Sequence, residues 1–220
     1  MASPSSKLYK NEKPLREIVG NEIRSRIFSG DFPPGYRLVE RDLAEMFQVS
    51  RLPVREAIRV LHNEGLVEPL PSRGIVVKTL SRREINELFD IREALEVLAT
   101  RQAAERIDDA AVRALRESIE ASERSIAVGD LDAVHAANSR FHDQILALSG
   151  NSLLQHTLEP LIARLHWLFR QIPDVEQLCA EHGVLCDAIG SGDPDAAAEA
   201  ARSHVLSYKH QTLEFLFGQS

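Results

Sequence analysis

The sequence predicts a mainly α-helical protein made of two domains, and three observations support this prediction. The chain has 220 residues, which is enough for two modest hydrophobic cores. Helix start and stop signals recur along the chain, whereas convincing β-type runs occur only within residues 66–78. The charge is also divided, because residues 1–80 carry 13 Lys and Arg against 10 Asp and Glu, and residues 81–220 carry 13 against 23. A mildly basic front part therefore precedes an acidic rear part.

Composition limits the class of protein. Hydrophobic residues make up 44% of the chain and charged residues 27%, which is ordinary for a globular protein. No apolar run approaches the roughly 18 residues that a membrane-spanning helix needs, and residues 1–13 contain no apolar signal core. We expect a cytoplasmic protein with no membrane partner and with residues 1–13 as a disordered tail. Cys179 and Cys186 are expected to be packing residues that form no disulfide.

Residues 14–79 carry the signals of a winged helix-turn-helix. A helix with an apolar stripe over residues 15–27 is followed by a turn with two prolines and a glycine, then by a short helix and a tight turn. Ser50 is a plausible N-cap for the next helix, and Pro53 fits its first turn because amides there have no intrahelical partner. Two β-type runs around the sequence PSRG then predict a hairpin, the wing.

The helix that follows Ser50 carries arginines at four-residue intervals, Arg51, Arg55 and Arg59. Its apolar stripe consists of Val54, Ile58 and Leu61. The start of such a helix reaches base edges in the major groove, and a guanidinium pairs with guanine or phosphate in a bidentate way. These arginines therefore indicate DNA binding. The alternative is an exposed face paired with Glu56 or solvent, and for Arg59 both interpretations stay open.

From Ser81 onwards the signals are helical throughout. Ser81 and Glu84 form a capping-box signature, and Gly, Asp, Asn and Pro residues separate six amphipathic segments. The predicted helices span residues 81–107, 109–128, 131–149, 152–171, 174–190 and 194–217. Short connections between amphipathic helices predict an antiparallel all-α bundle over residues 80–217.

Polar side chains interrupt three apolar stripes of this bundle. Asn138 lies within the stripe of the third helix with His142 one turn later beside it, and His182 and His204 are central on the fifth and last helices. Each histidine alone is more simply explained as a hydrogen-bonded core residue. Several unpaired imidazoles are costly to bury, whereas one divalent metal would satisfy them all. Nitrogen ligands indicate zinc, with nickel as the alternative.

Arg92 interrupts the apolar stripe of the first bundle helix. A buried guanidinium needs an anionic partner, which is either Glu96 one turn away or the carboxylate of a bound ligand, and we slightly favour the ligand. A small organic acid that chelates the metal and pairs with Arg92 would use both features.

The segment PPGYRLVERDLAEMFQVSRLPVREAIRVLHNEGLVEPLPSRGIVV resembles the DNA-binding domain of GntR-superfamily transcription regulators. The pattern is a Pro-Gly turn, E-x-x-L-A, S-R-x-P-V-R-E-A and G-L-V within residues 14–78. The resemblance implies operator contacts from Arg41, Ser50, Arg51, Pro53, Arg55, Arg73 and Gly74. Arg51 and Arg55 are the candidates for base contacts, and Arg73 with Gly74 for the minor groove or the backbone.

The rear part resembles the ligand-sensing FCD domain of the FadR-type branch of that superfamily. The matching segments are IREALEVLATRQAA, NSRFHDQILALSGN and EHGVLCDAIGSGDPDAAAEAARSHV. Metal-binding members take ligands from an Asp-x-x-x-His pair and two later histidines, which correspond to Asn138, His142, His182 and His204. Asn138 departs from the pattern, because an amide oxygen is a weaker, uncharged ligand.

These patterns predict a homodimeric transcription regulator and not an enzyme. A repressor is favoured over an activator. A dimer is expected because one small, mildly basic head binds weakly, whereas two heads on near-palindromic double-stranded operator DNA multiply affinity. A small carboxylate or sugar acid is expected to control operator binding. The alternatives are a metal-responsive or metal-free sensor and, from another class, a bundle metalloenzyme anchored to DNA. The bundle lacks the paired Glu-x-x-His motifs of di-iron proteins, which argues against the enzyme.

Overall fold

A computed structural model of the chain describes residues 14–71, 74–169 and 174–218. The fold is mainly helical with one small antiparallel sheet, as the sequence predicts. Two compact units divide after Thr79. No helix among the described residues is both long and apolar enough to cross a membrane.

The first unit is a winged helix-turn-helix. It contains, in chain order, α1 (Leu15–Phe28), β1 (Arg37–Leu38), α2 (Glu40–Met46), α3 (Arg51–Asn63), β2 (Val67–Leu70) and β3 (Gly74–Val77). Its core includes the predicted α3 stripe together with apolar residues of α1 and α2, namely Val19, Ile23, Ile27, Leu43, Val54, Ile58 and Leu61. α1 and α3 approach closely at Gly20, where a Cβ would lie 3.8 Å from Cβ of Ala57. This packing fixes α3 with one face exposed.

The turn between α2 and α3 sets the start of α3. Gln48 adopts a left-handed backbone with φ of 55°, and the amide of Val49 donates to the carbonyl of Ala44 at 3.0 Å. Ser50 occupies the N-cap position as predicted, but its side chain makes no capping hydrogen bond. The tight turn, and not a serine cap, therefore defines where α3 begins.

The wing has one strand more than the predicted hairpin. The sheet order is β1-β3-β2, with both neighbours antiparallel to β3. β1 pairs Arg37 with Val76 and Leu38 with Ile75. A strand of two residues is too short to show an alternating pattern, so the sequence gives no sign of it. Residues 72 and 73 lie outside the described residues, and with them the predicted contact of Arg73.

The second unit is a helical bundle. Its described helices are α4 (Arg82–Ala104), α5 (Asp109–Ala127), α6 (Leu131–Leu148), α7 (Ser152–Phe169), α8 (Val175–Gly190) and α9 (Pro194–Phe217). The capping box is present, because Ser81 Oγ accepts from the Glu84 amide and the Glu84 carboxylate accepts from the Ser81 amide. α4 lies along α9, and α5 packs on α6 and α8. Cys179 and Cys186 are buried and unbridged, as expected.

Candidate DNA-binding face and metal centre

The start of α3 exposes the arginines that the sequence singled out. Ser50, Arg51 and Arg55 are exposed, while Pro53 is buried in the first turn. The Pro53 side chain therefore lies against the core and shapes the turn from inside. Arg59, two turns into α3, is also exposed.

Arg55 is held by a carboxylate of the preceding helix. Its Nε and Nη2 donate to Oε1 and Oε2 of Glu40 at 3.0 and 2.8 Å. The hydrogen bond from Arg55, helped by the charges of Arg55 and Arg51, holds the pKa of the Glu40 carboxyl below its ordinary value despite partial burial. Glu40 is thus an ionised partner of the arginines on the exposed face. Nothing in the sequence pattern of α2 predicts this contact of Glu40 with α3.

Two further cations lie near this face or the wing. Arg41 is exposed, and its Nε donates to its neighbour Asp42 at 2.9 Å. Gly74 opens β3 with a positive φ of 74°, and a Cβ there would lie 3.9 Å from Nε of Arg37. Arg37 on β1 therefore lies beside the wing strand β3. The sequence did not point to Arg37, because β1 is too short to show a strand pattern.

Three imidazoles from α6, α8 and α9 converge in the second unit. The candidate ligand atoms of His142, His182 and His204 all lie within 4.8 Å of one another. Their ring centroids are 5.0 Å apart for His142 and His182, 5.0 Å for His182 and His204, and 5.5 Å for His142 and His204. The helical stripes predicted these residues, and the fold brings all three together.

The cluster has the chemistry of a metal site. His182 and His204 are 2% and 3% exposed, and the Nε2 atom of each makes no hydrogen bond with any described residue. Burial, then the charges of His204 and Arg92, hold the pKa of His182 well below its ordinary value, so this ring is neutral and keeps a lone pair. Nitrogens on one tetrahedral zinc lie roughly 3.4 Å apart, so modest side-chain shifts would close the cluster. These residues fit a divalent ion.

Asn138 lies one helical turn before His142 on α6 and is 3% exposed. Both its Oδ1 and its Nδ2 are buried, and neither finds a hydrogen-bond partner among the described residues. A buried amide without partners is costly, which supports an additional group at this position.

A carboxylate supports one of the rings. His204 Nδ1 lies 2.9 Å from Oε2 of Glu181, and Ser207 Oγ donates to Oε1 of the same carboxylate at 2.6 Å. Burial tends to raise the pKa of Glu181, but the hydrogen bonds from His204 and Ser207 outweigh it and hold this pKa below its ordinary value. No sequence pattern indicates this role of Glu181, although it directly precedes His182.

Arg92 is paired inside the protein. It is 0% exposed, and its Nε and Nη2 donate to the two carboxylate oxygens of Glu96 at 2.8 and 3.1 Å. Its guanidinium also lies 5.0 Å from the ring centroid of Tyr208 and 5.6 Å from that of Phe89. Of the two partners that the sequence allowed, the structure shows Glu96.

A small cavity borders the cluster at His142. Its volume is about 40 Å³, and its polar lining consists of Glu96, Thr100, His142 and Asp143. Apolar residues of α4, α6, α7 and α8 complete the wall. Burial raises the pKa of the Asp143 carboxyl. The cavity holds only a few water-sized groups.

Residues 15–77 match the family model of bacterial regulatory proteins, gntR family, and residues 87–207 match that of the FCD domain. The second match alone spans more than half of the chain. The chain belongs to the GntR family. These families comprise transcription regulators and not enzymes, so this GntR protein is a DNA-binding transcription regulator, as the resemblance implied.

Relatives of this GntR protein match it over nearly the whole chain. It is 30% identical over 201 residues to the HTH-type transcriptional regulator YdhC of Bacillus subtilis (strain 168), covering 89% of this chain and 88% of YdhC. It is also 30% identical over 201 residues to the "Probable D-xylose utilization operon transcriptional repressor" of Paenarthrobacter nicotinovorans, covering 88% of each. A crystal structure of a GntR transcriptional regulator from Rhodococcus sp. RHA1 has the same fold, with a TM-score of 0.75 at 24% identity over 90% of this chain and 97% of that one.

Proposed function

We propose that this GntR regulator is a homodimeric repressor that binds a near-palindromic operator. A small organic acid, bound at a metal in the second unit, controls its affinity for the operator. One observation carries this proposal, namely the three imidazoles, two buried and one partly buried, that converge in the unit attached to a DNA-binding unit. A core that needed only packing would not place three imidazoles together and leave Nε2 of His182 and of His204 without a hydrogen bond to any described residue.

The proposed ion is divalent zinc, with nickel as the alternative. His142, His182 and His204 would supply nitrogen ligands, and Asn138 would supply a neutral oxygen. When bound, the ion supplies a positive charge that attracts a carboxylate. Because none of these four side chains is anionic, they leave the charge of the ion uncompensated, which favours an anionic effector.

The effector we propose is a small carboxylate or a sugar acid. Its carboxylate would meet the ion, and the rest of the molecule would enter the cavity beside His142. The cavity in this structure is small, and we propose that the acid binds a more open arrangement of the surrounding helices. Arg92 is the proposed second anchor, reached by displacing Glu96. A ligand that binds only the opened arrangement shifts the protein towards it, which is the requirement for allosteric control.

The DNA-binding half of the proposal uses the exposed face of the first unit. Arg51 and Arg55 are the proposed base readers, Arg41 and Ser50 contact the phosphates or bases around them, and Pro53 shapes the first turn of α3. Arg73 and Gly74 at the wing are the proposed contacts to the minor groove or the backbone. Two such units on a dimer would match a near-palindromic site. The name of the Paenarthrobacter relative, a repressor of a sugar operon, supports repression and a sugar-derived effector.

The test is operator release by defined acids. A genomic fragment selected by the purified protein is labelled, and its binding is followed by fluorescence anisotropy with zinc-loaded protein and a panel of sugar acids and dicarboxylates. At least one acid is expected to weaken DNA binding at least tenfold and to raise the melting temperature, because it binds only the folded protein.

His204→Ala should abolish the response to the acid, and His210→Ala, which alters an exposed histidine of the same helix, should leave it intact. If zinc alone changes DNA binding and no acid does, the proposed organic-acid effector is wrong and the protein is a metal sensor. Failure to prefer any genomic fragment over random duplex would refute the whole proposal.

A further inference from the structure

Glu181 connects two of the clustered histidines through the packing of α8 on α9. It immediately precedes His182 on α8, and its Oε2 lies 2.9 Å from Nδ1 of His204 on α9. Its Oε1 accepts from Ser207 Oγ at 2.6 Å and from Gln177 Nε2 at 3.1 Å. α8 therefore supplies one candidate ligand, His182, and, in the position before it, the carboxylate that holds a second ligand.

The Glu181 carboxylate is itself fixed in place. Its bond from Ser207 is supported in turn, because Gln211 Nε2 donates to Ser207 Oγ at 3.2 Å. The side chain is about one-fifth exposed, whereas the His204 ring is almost fully buried. A carboxylate with three side-chain donors around it has little freedom to turn away from the ring.

This contact selects one tautomer of His204. An ionised carboxylate only accepts hydrogen bonds, so in the neutral ring Nδ1 carries the proton and Nε2 carries the lone pair. The Nε2 atom of His204 is buried and makes no hydrogen bond with any described residue. The ring centroids of His142 and His182 lie 5.5 and 5.0 Å from that of His204. The nitrogen that Glu181 leaves unprotonated is thus available as the ligand atom.

A second carboxylate near the cluster, that of Glu96, makes no such contact with an imidazole ring among the described residues. Glu96 Oε2 lies 3.9 Å from Nδ1 of His142, which is beyond hydrogen-bond length. The two carboxylate oxygens of Glu96 instead accept hydrogen bonds from Nε and Nη2 of Arg92, at 2.8 and 3.1 Å. Glu181 is therefore distinguished from Glu96 by direct contact with a ring.

We propose that Glu181 is a positioning residue of the metal centre, which fixes His204 as the Nδ1-protonated tautomer and presents its Nε2 to the ion. The inference rests on the proposed metal centre and adds a residue outside the ligand set. A carboxylate in this position also makes the imidazole a stronger ligand, and its removal from metal sites typically lowers affinity roughly 10- to 100-fold.

The first test is zinc affinity of the full-length chain, measured by competition with a chromophoric chelator. Glu181→Gln is expected to weaken zinc binding about 10- to 100-fold, because the neutral amide has nearly the same shape but no longer fixes the tautomer. Glu176→Gln makes the same charge change at an exposed position of α8, and it should bind zinc as the unaltered protein does.

Two results of this titration separate the possible failures. Equal zinc affinity in Glu181→Gln and the unaltered protein would overturn the role of Glu181 while the metal centre stands. An unaltered protein that retains no zinc would overturn the metal centre, and the inference with it.

The second test needs no variant and no metal. The ¹⁵N chemical shifts of the His204 ring in zinc-free protein report which nitrogen carries the proton. The expected result is a protonated Nδ1 and a pyridine-like Nε2. A ring protonated at Nε2 would overturn the inference even if Glu181→Gln failed to fold.

Discussion

At the scale of single residues, three of the side chains proposed to be functional in this GntR regulator are each held by a carboxylate. Arg55, Arg92 and His204 hydrogen-bond to Glu40, Glu96 and Glu181, respectively. The Arg92 pair is four residues apart on one helix, and the sequence named Glu96 as one of two possible partners. The other pairs join residues 15 and 23 positions apart on different helices. No helical periodicity predicts such contacts.

Asn138 offers a residue-scale prediction. Asn138→Asp would place an anionic oxygen where a neutral amide now lies, and affinity for a divalent ion rises with the charge of its ligands, so zinc should bind roughly tenfold more tightly. The metal-free variant should melt at a lower temperature, because an uncompensated carboxylate is then buried. Isothermal titration with zinc and thermal unfolding would measure both effects.

Asn63→Asp, at an exposed position of the first unit, is the control and should change neither quantity. Zinc affinity that stays equal or falls in Asn138→Asp would exclude Asn138 from the ligand set.

At the scale of elements, the sequence predicted the long helices, the short helix α2 and the hairpin of β2 and β3, but not the strand β1. α4 to α9 follow the predicted segments closely because each repeats its apolar pattern over several turns and has a capping residue or glycine at an end. β1 escaped prediction, and Ser50 occupies its predicted N-cap position on α3 without the expected side-chain hydrogen bond. A two-residue strand exists only through its pairing with β3, and the α3 start depends on the left-handed turn at Gln48.

Two exposed arginines of helix α3 allow a matched pair of variants. Arg51 lies in its first turn and Arg59 two turns later, and both are exposed. Arg51→Ala should lose about 1–3 kcal/mol of discrimination between operator and scrambled DNA, because the proposed bidentate contact to a base is removed. Arg59→Ala should weaken binding to both duplexes alike or leave it unchanged.

Competition anisotropy at one fixed salt concentration would measure this discrimination, since salt alone changes affinity strongly. If Arg51→Ala kept the full operator preference, Arg51 would not be a base reader.

At the scale of the whole molecule, the charge division along the sequence corresponds to two units that fold around separate cores. The mildly basic first part forms the winged helix-turn-helix, and the acidic second part forms the bundle with the histidine cluster. Net acidity of the chain therefore does not conflict with DNA binding, because the DNA-binding face belongs to the basic unit.

Removal of the metal tests whether the ion binds in the second unit and leaves the first unit unaffected. Zinc at about 100 times its dissociation constant stabilises the folded bundle by about 2.7 kcal/mol, so chelation should lower its melting temperature on the order of 10 °C. Differential scanning calorimetry should show the loss in the transition of the second unit, while the first unit is unaffected. Magnesium at the same concentration should not restore it, because that ion prefers oxygen ligands. A zinc shift of equal size in His204→Ala would place the ion elsewhere.

The sequence by itself determined the fold class, the boundaries of the long helices and the three histidines that meet in the bundle. These features follow from the spacing of apolar residues and from caps, which are properties of residues close together in the chain. Only the tertiary structure decided that Arg92 pairs with Glu96, that Glu40 holds Arg55 and that Glu181 holds His204. Such contacts depend on the angle and register at which helices pack, and many distant side chains set these together.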